Sequence, residues 1–401
     1  MHLNKSRSLV HAVALASTVM LAACGGGGGG TTATTVPEGT VRLALTDAPS
    51  CGYDHVYVTV ERVRMHKSDG AGDSEGGWEE IVLASPKRLD LLELTNGTLE
   101  ELGQVDVPAG TYNQIRLVLA ANTGADPLAN SVHPTGGTEV PLKTPSAQQS
   151  GLKLKAKFEV EADGLADLVL DFDACRSIVT AGGSGGYNLK PVLSLSKRVQ
   201  TGIQGYVSTT MTLNGTTVSA QQNGVVMRST VPDTTGKFVL PFLAAGNYDV
   251  VITSGNRATA VLTGVPVTTT TTLVNGTSTA FLPPVAATLR EITGTASSGN
   301  GTATLVTTAD VRATQQLTGG PTIQVQALPV DAVDATYTLT LPADAPVKAA
   351  YAAGGTPTFA ADTAVAGKYR VQGTAEGFTA VTEDADVSTA DQVIDLQFAA
   401  P

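Results

Sequence analysis

A chain of 401 residues with a formal net charge of −11 has room for several domains, and its acidity argues against nucleic acid and anionic lipid surfaces as partners. Only 15% of the residues are charged and 4% are aromatic, while Thr, Ala, Gly and Val abound. Such a composition suits short strands and turns and gives little from which to build long helices.

The chain opens with Lys5 and Arg7, followed by an apolar run from Leu9 to Ala23 that His11 interrupts. A bilayer core needs roughly twenty apolar residues, so this run is too short for a stable span. Its layout is that of a secretory signal peptide over residues 1–23. Leu21-Ala22-Ala23-Cys24 then reads as a lipobox, resembling the start of bacterial lipoproteins. The small residues admit the processing enzyme, and the Cys24 thiolate takes a diacylglyceryl group. Residues 24–37 form a Gly- and Thr-rich tether whose reach is about 20 Å for a random coil. In the lipoproteins this terminus resembles, an aspartate directly after the cysteine retains the protein at the inner membrane. Gly25 stands there instead, so the expected location is the cell envelope, lipid-anchored at the outer membrane. Removal of the first 23 residues leaves a net charge of about −13. Cys51 and Cys175 are the two cysteines left over in an oxidising compartment, and they are expected to pair. Closing so long a loop contributes on the order of 4 kcal/mol in the chain-entropy view.

Three β-rich parts follow. In the first, residues 38–198, the segment from 41 to 47 alternates Val41, Leu43 and Leu45 with Arg42, Ala44 and Thr46. Val56, Val58 and Val60 continue the pattern, which shifts phase to Val63 and Met65, as an extra residue at Glu61 or Arg62 would make it do in a β-bulge. Leu91 to Leu102 has room for a helical turn or two. In the strand 152–160, Leu152, Leu154, Ala156, Phe158 and Val160 share one face, and Lys153, Lys155, Lys157 and Glu159 share the other. The segments LTDAPSCGYDHVYVTVERVRMH, GWEEI, PAGTYNQIRLVL, PSAQQSGLKL and LDFDACRSIVTAGGSGGYNLKPVL together resemble the bacterial domain of unknown function 4382. The resemblance implies an extracytoplasmic β-rich lipoprotein domain and brings no substrate with it.

The second part, residues 199–287, opens on Gly205-Tyr206-Val207 and carries PDTTGKFVLPFLAAGNYDVVI. Asp233 to Gly236 supply a turn, Phe238 and Leu240 point inward, and Gly246 precedes the strand of Tyr248, Val250 and Ile252. This stretch resembles the carboxypeptidase regulatory-like module, a prealbumin-type sandwich grouped with starch-binding-like folds. The third part, residues 288–401, reads as a degenerate copy. VAGKYRVQGTAEGF (365–378) repeats AAGNYDVVITSG (244–255) with the Ala-Gly-X-Tyr-X-Val core kept, and Ile292 to Thr295 are expected to open it. The insert TLPADAPVKAAYAAGGTPTF has no counterpart in the second part. The expected fold class is all-β: tandem antiparallel β-sandwich domains after a lipidated flexible tether.

Chemistry-bearing residues are few. GGSGG (182–186) matches a hydrolase nucleophile pattern, but Ser184 lies in a glycine loop with no helix after it, which favours a hairpin loop. His55, His66 and His133, with Asp47, Asp54 and Asp69 nearby, lack the spacing of a zinc site, and no metal is expected from them. Asp171 and Asp173 stand two apart on one strand face. They are weak calcium candidates, but are read first as structural carboxylates with Arg176 or Lys190 as partners. The row Lys153, Lys155 and Lys157 reads as a solvated face guarding an edge. Lys237 is poorly placed for an isopeptide crosslink. Trp78 is the single tryptophan and the weak candidate for sugar contact, since Tyr206, Tyr248 and Tyr369 fall at core-like positions. No catalytic residue and no cofactor is expected. The functional expectation is a non-enzymatic, membrane-anchored lipoprotein displaying β-sandwich modules for envelope structure, adhesion or partner binding. The alternative is a carbohydrate-binding surface lipoprotein. Its partners are the membrane, through the lipid anchor, and a glycan or an envelope protein, not nucleic acid.

Overall fold

The computed structural model describes residues 36–47, 52–145, 147, 150–182, 185–286, 288–299 and 304–399. The signal segment, Cys24, most of the tether, Cys51 and Ser184 lie outside them. Among the described residues the one α-helix is the short turn Ala174–Ser177, and no helix is long and apolar enough to cross a membrane. The all-β class expected from the strand periodicities therefore holds.

The first part forms a sandwich. One sheet runs Leu193–Lys197, Leu165–Phe172, Glu38–Asp47, Glu100–Pro108; the other is built around Tyr53–His66 and Gly110–Leu119, with Leu152–Val160 at its edge. Val41, Leu43 and Leu45 meet Val56, Val58, Ile115, Leu117 and Phe172 in one core, each fully or almost fully buried. The phase shift in the second strand is real: pairing slips between Val60 and Arg62 against both neighbours, so Val60 and Val63 both stay buried. Along the edge strand, Leu152, Phe158 and Val160 are buried while Lys153, Lys155 and Lys157 are exposed. The segment expected to hold helical turns holds one 3-10 turn, Leu91–Glu93, capped by the Asp90 side chain; from Glu100 it is already strand. Pairing is not wholly antiparallel. Glu38–Asp47 lies parallel to Leu165–Phe172, because the intervening chain crosses to the other sheet before it returns.

Beyond Lys197 a second core gathers Ile203, Phe238, Leu240, Tyr248, Val250 and Ile252, and a third gathers Ile292, Val311, Leu339, Tyr369, Val371 and Phe398. The insert without a counterpart in the second part has a defined place: Val347–Ala350 adds in parallel to Ala260–Val267, and Ala360–Ala361 adds outside it. Val347 and Ala349 are thus buried in the second core although the chain has already entered the third. The Ala-Gly-X-Tyr motif occurs in all three parts. The hydroxyls of Tyr112 and Tyr248 each donate to the carbonyl four residues upstream, Pro108 at 3.0 Å and Ala244 at 2.8 Å. That is a tyrosine corner, tying a strand to the turn before it. In the third part Tyr369 donates to Pro342 at 2.6 Å instead.

Candidate functional site

Residues 37–401 form one compact unit, and the three cores meet at named side chains. Between the first and second parts, Asn96 sits at φ 56°, a left-handed turn position that Asn tolerates. Its backbone N–H donates to Thr230 Oγ1 at 2.9 Å, and its Oδ1 accepts from the Val239 N–H at 2.9 Å. Between the second and third parts, Gln221 donates through Nε2 to the Gln324 carbonyl at 2.8 Å and accepts from the Gln324 N–H at 2.7 Å. The amide thereby stands in for a strand residue. Between the first and third, Lys190 Nζ reaches the Thr308 carbonyl at 2.7 Å and Asp310 Oδ2 at 3.0 Å, while Asp331 accepts from Thr180 and Gly182. Burial pulls the Asp331 carboxyl upward, but the donors from Val333, Gly182, Thr180 and Asp334 prevail and hold it below the usual range.

Where the three parts converge there is a cavity of about 670 Å³. Asp171, Asp173 and Arg176 line it from the first part, Arg228 and Arg257 from the second, and Arg312 from the third. The sequence-based partners of Asp171 need correcting. Asp171 pairs with Arg228 (Oδ2 to a terminal nitrogen, 2.5 Å), not with Arg176 or Lys190, whose own partner is Asp310. Arg228 also donates to Ser196 Oγ. Burial pushes Asp171 upward and Arg228 opposes it. Asp173 instead caps the Ala174–Ser177 turn, accepting from the Arg176 backbone N–H at 3.1 Å, and burial pushes its carboxyl up to about 6. The two aspartates are therefore engaged separately. Among the described residues no group of three or more His, Cys, Asp or Glu could hold a metal ion.

The other singled-out residues are placed elsewhere. His55 Nδ1 lies 2.5 Å from Asp90, and its ring stacks on Tyr57 and meets His133 edge-on. His133 is 3.4 Å from Asp54. His66 accepts from the Ser68 N–H at 2.9 Å, lies 3.0 Å from the Gly76 carbonyl and tilts against Trp78. The Trp78 indole lies across the cross-strand pair Arg64 and Arg116, each guanidinium 4.4 Å from the ring centre, and its Nε1 donates to Gly72. It pins the 67–78 loop rather than standing out as a platform.

Arg116, missed in the sequence, is the largest fully buried side chain; it donates to Gln114, Ser150, Ala71 and Asp73. Its signal was there to read: a charge set within the apolar run Ile115 to Leu119. Cys175 lies in the same turn as Asp173, and Cys51, its expected partner, lies outside the described residues. Asp47 accepts from the Ala174 N–H at 3.1 Å, which ties the end of the Glu38–Asp47 strand to the turn that carries Cys175.

Residues 38–191 match the model of a domain of unknown function, DUF4382. No curated protein matches. A chain of a type II cohesin–X-dockerin complex from Acetivibrio cellulolyticus is 26% identical over 21% of this chain and 55% of its own, with a TM-score of 0.17. The Bacillus anthracis TIE protein is 12% identical over 91% of this chain and 51% of its own, at 0.19. A streptococcal ancillary pilin is 10% identical over 90% of this chain and 99% of its own, at 0.19. The chain spans about half the length of the first two. TM-scores this low leave the likenesses without weight for function.

Proposed function

We propose that the protein is a non-enzymatic lipoprotein of the cell envelope, anchored at the outer membrane through Cys24 and displaying its three β-rich parts as one body for envelope structure, adhesion or partner binding. One observation carries the display half of this reading. Several polar side chains that could do chemistry instead join the parts or pin loops, among them Asp171 with Arg228, Lys190 with Asp310, and Trp78 with Arg64 and Arg116, which supports display over catalysis. A rigid body held off a membrane by a leash suits presentation. The anchoring half rests on the lipobox and on the Gly25 to Thr35 tether. A Cys51–Cys175 bond belongs to the same reading, since it fits an oxidising compartment.

Metabolic labelling with a palmitate analogue tests the anchor. Label should enter the wild-type chain and vanish in Cys24→Ser, which should also leave the membrane fraction. Label retained in the variant would refute anchoring at that residue. The carbohydrate-binding reading is favoured by a different observation, the ligand-sized cavity at the junction with its arginines and hydroxyls set among apolar side chains.

A further inference from the structure

The junction cavity is cationic in an acidic chain. Four arginines line it (Arg176, Arg228, Arg257 and Arg312) against two aspartates, while the whole chain carries −11. Arg228 is committed to Asp171 and Ser196, and Arg257 donates one terminal nitrogen to the Pro283 carbonyl at 2.6 Å. Arg176 is held only loosely, 4.0 Å from Asp173. Arg312 donates Nε to Gln372 at 2.9 Å and a terminal nitrogen to the Gly224 carbonyl at 3.3 Å, with no carboxylate paired to it among the described residues. The Nε atoms of Arg176, Arg228 and Arg257 are buried without a hydrogen-bond partner. Burial, and then the neighbouring charge of Arg176, lowers the affinity of Arg312 for its proton, so the two guanidiniums repel across the junction. Guanidiniums brought together with unspent donors are a receptor for an oxyanion, because a planar fork matches a carboxylate in two parallel bonds.

The rest of the lining narrows the ligand. It holds no aromatic ring, so stacking cannot carry recognition, and it is rich in hydroxyls such as those of Thr217, Thr253, Thr340 and Thr374. A cavity of about 670 Å³ is of ligand size rather than ion size.

We propose that the junction cavity binds an acidic saccharide, its carboxylate held between Arg176 and Arg312 and its hydroxyls by the threonine-rich walls. This deepens the partner-binding side of the reading above and rests on the three parts acting as one body. Anchoring could fail without touching it.

The test is calorimetric titration of the full chain in detergent with a galacturonic acid trimer, a galactose trimer and inorganic phosphate. The acidic trimer should bind saturably, and Arg176→Gln and Arg312→Gln should each weaken it at least tenfold. Lys155→Gln on the exposed edge should not. Arg176→Lys keeps a charge but loses the fork and should retain part of the affinity. Thermal melting of each variant separates lost binding from lost fold, and Arg176, with a third of its side chain exposed, is the safer of the two. Phosphate binding as tightly as the acidic trimer would overturn the saccharide and leave only an oxyanion site. Equal binding of the neutral trimer, no change in either glutamine variant, or no binding at all would overturn the proposal, while palmitate labelling at Cys24 would stand or fall separately.

Discussion

Asp171 and Arg228 show what it takes to keep charges inside a junction. Their side chains are 13% and 5% exposed, so each has given up most of its hydration and depends on the other. Removing one partner strands the other, which costs about 3–5 kcal/mol, whereas replacing both with apolar groups is often neutral. Arg228→Met should therefore destabilise strongly, and Asp171→Leu with Arg228→Met should recover most of the loss; urea unfolding of the wild type and the two variants checks this.

Asp173 adds a pH dependence. Its carboxyl titrates near 6 in the folded chain against a reference value of 3.8, so the folded state binds its proton more tightly. Stability from this group is fully present below the reference value and is lost as pH rises through about 6. Asp173→Asn keeps a capping oxygen and removes the partly buried charge, on a side chain 26% exposed. It should stabilise the protein by on the order of 1 kcal/mol at about pH 7 and have little effect near pH 3, as read from denaturation midpoints at the two values.

At the scale of elements, what could be read in the sequence is what is local. The Leu152–Val160 strand announces its faces because side chains alternate whatever the partner strand is, and the bulge after Val60 shows as a slip in that alternation. Partners are another matter. Nothing near Asp171 points to Arg228, which lies 57 positions on, and the nearer Arg176 and Lys190 are decoys by proximity alone. The insert around Val347 carries no repeat signal because it completes a sheet of the preceding part, where what it must fit is the edge of Ala260–Val267. The cavity is illegible for the same reason, its four arginines being spread over residues 176–312. Val347→Asp should cost on the order of 3 kcal/mol by burying an unpaired charge. If the insert does bind the parts together, hydrogen exchange should rise in both the second and third cores, not in the third alone.

Across the described residues, the three large cores are joined by contacts of different kinds: an ion pair and the Asn96 turn, the Gln221 amide with an added strand and a small apolar cluster of Val251, Val261, Leu317 and Ile323, and the Lys190 and Asp331 clusters. The Asn96, Gln221 and Asp331 contacts are hydrogen-bonded on both sides, the condition under which buried polar groups specify one arrangement instead of weakening it. Arg228 Nε and Asp310 Oδ1, by contrast, are buried without a hydrogen-bond partner among the described residues. That shared junction joins the three parts into one body, and the cationic cavity lies in it. Differential scanning calorimetry of the full chain, with Gln221→Ala beside the wild type, tests this most directly. One coincident transition that moves as a whole to lower temperature in the variant is the predicted result. Three separate transitions, of which the variant shifts none or only one, would mean the parts hang independently and would contradict the account.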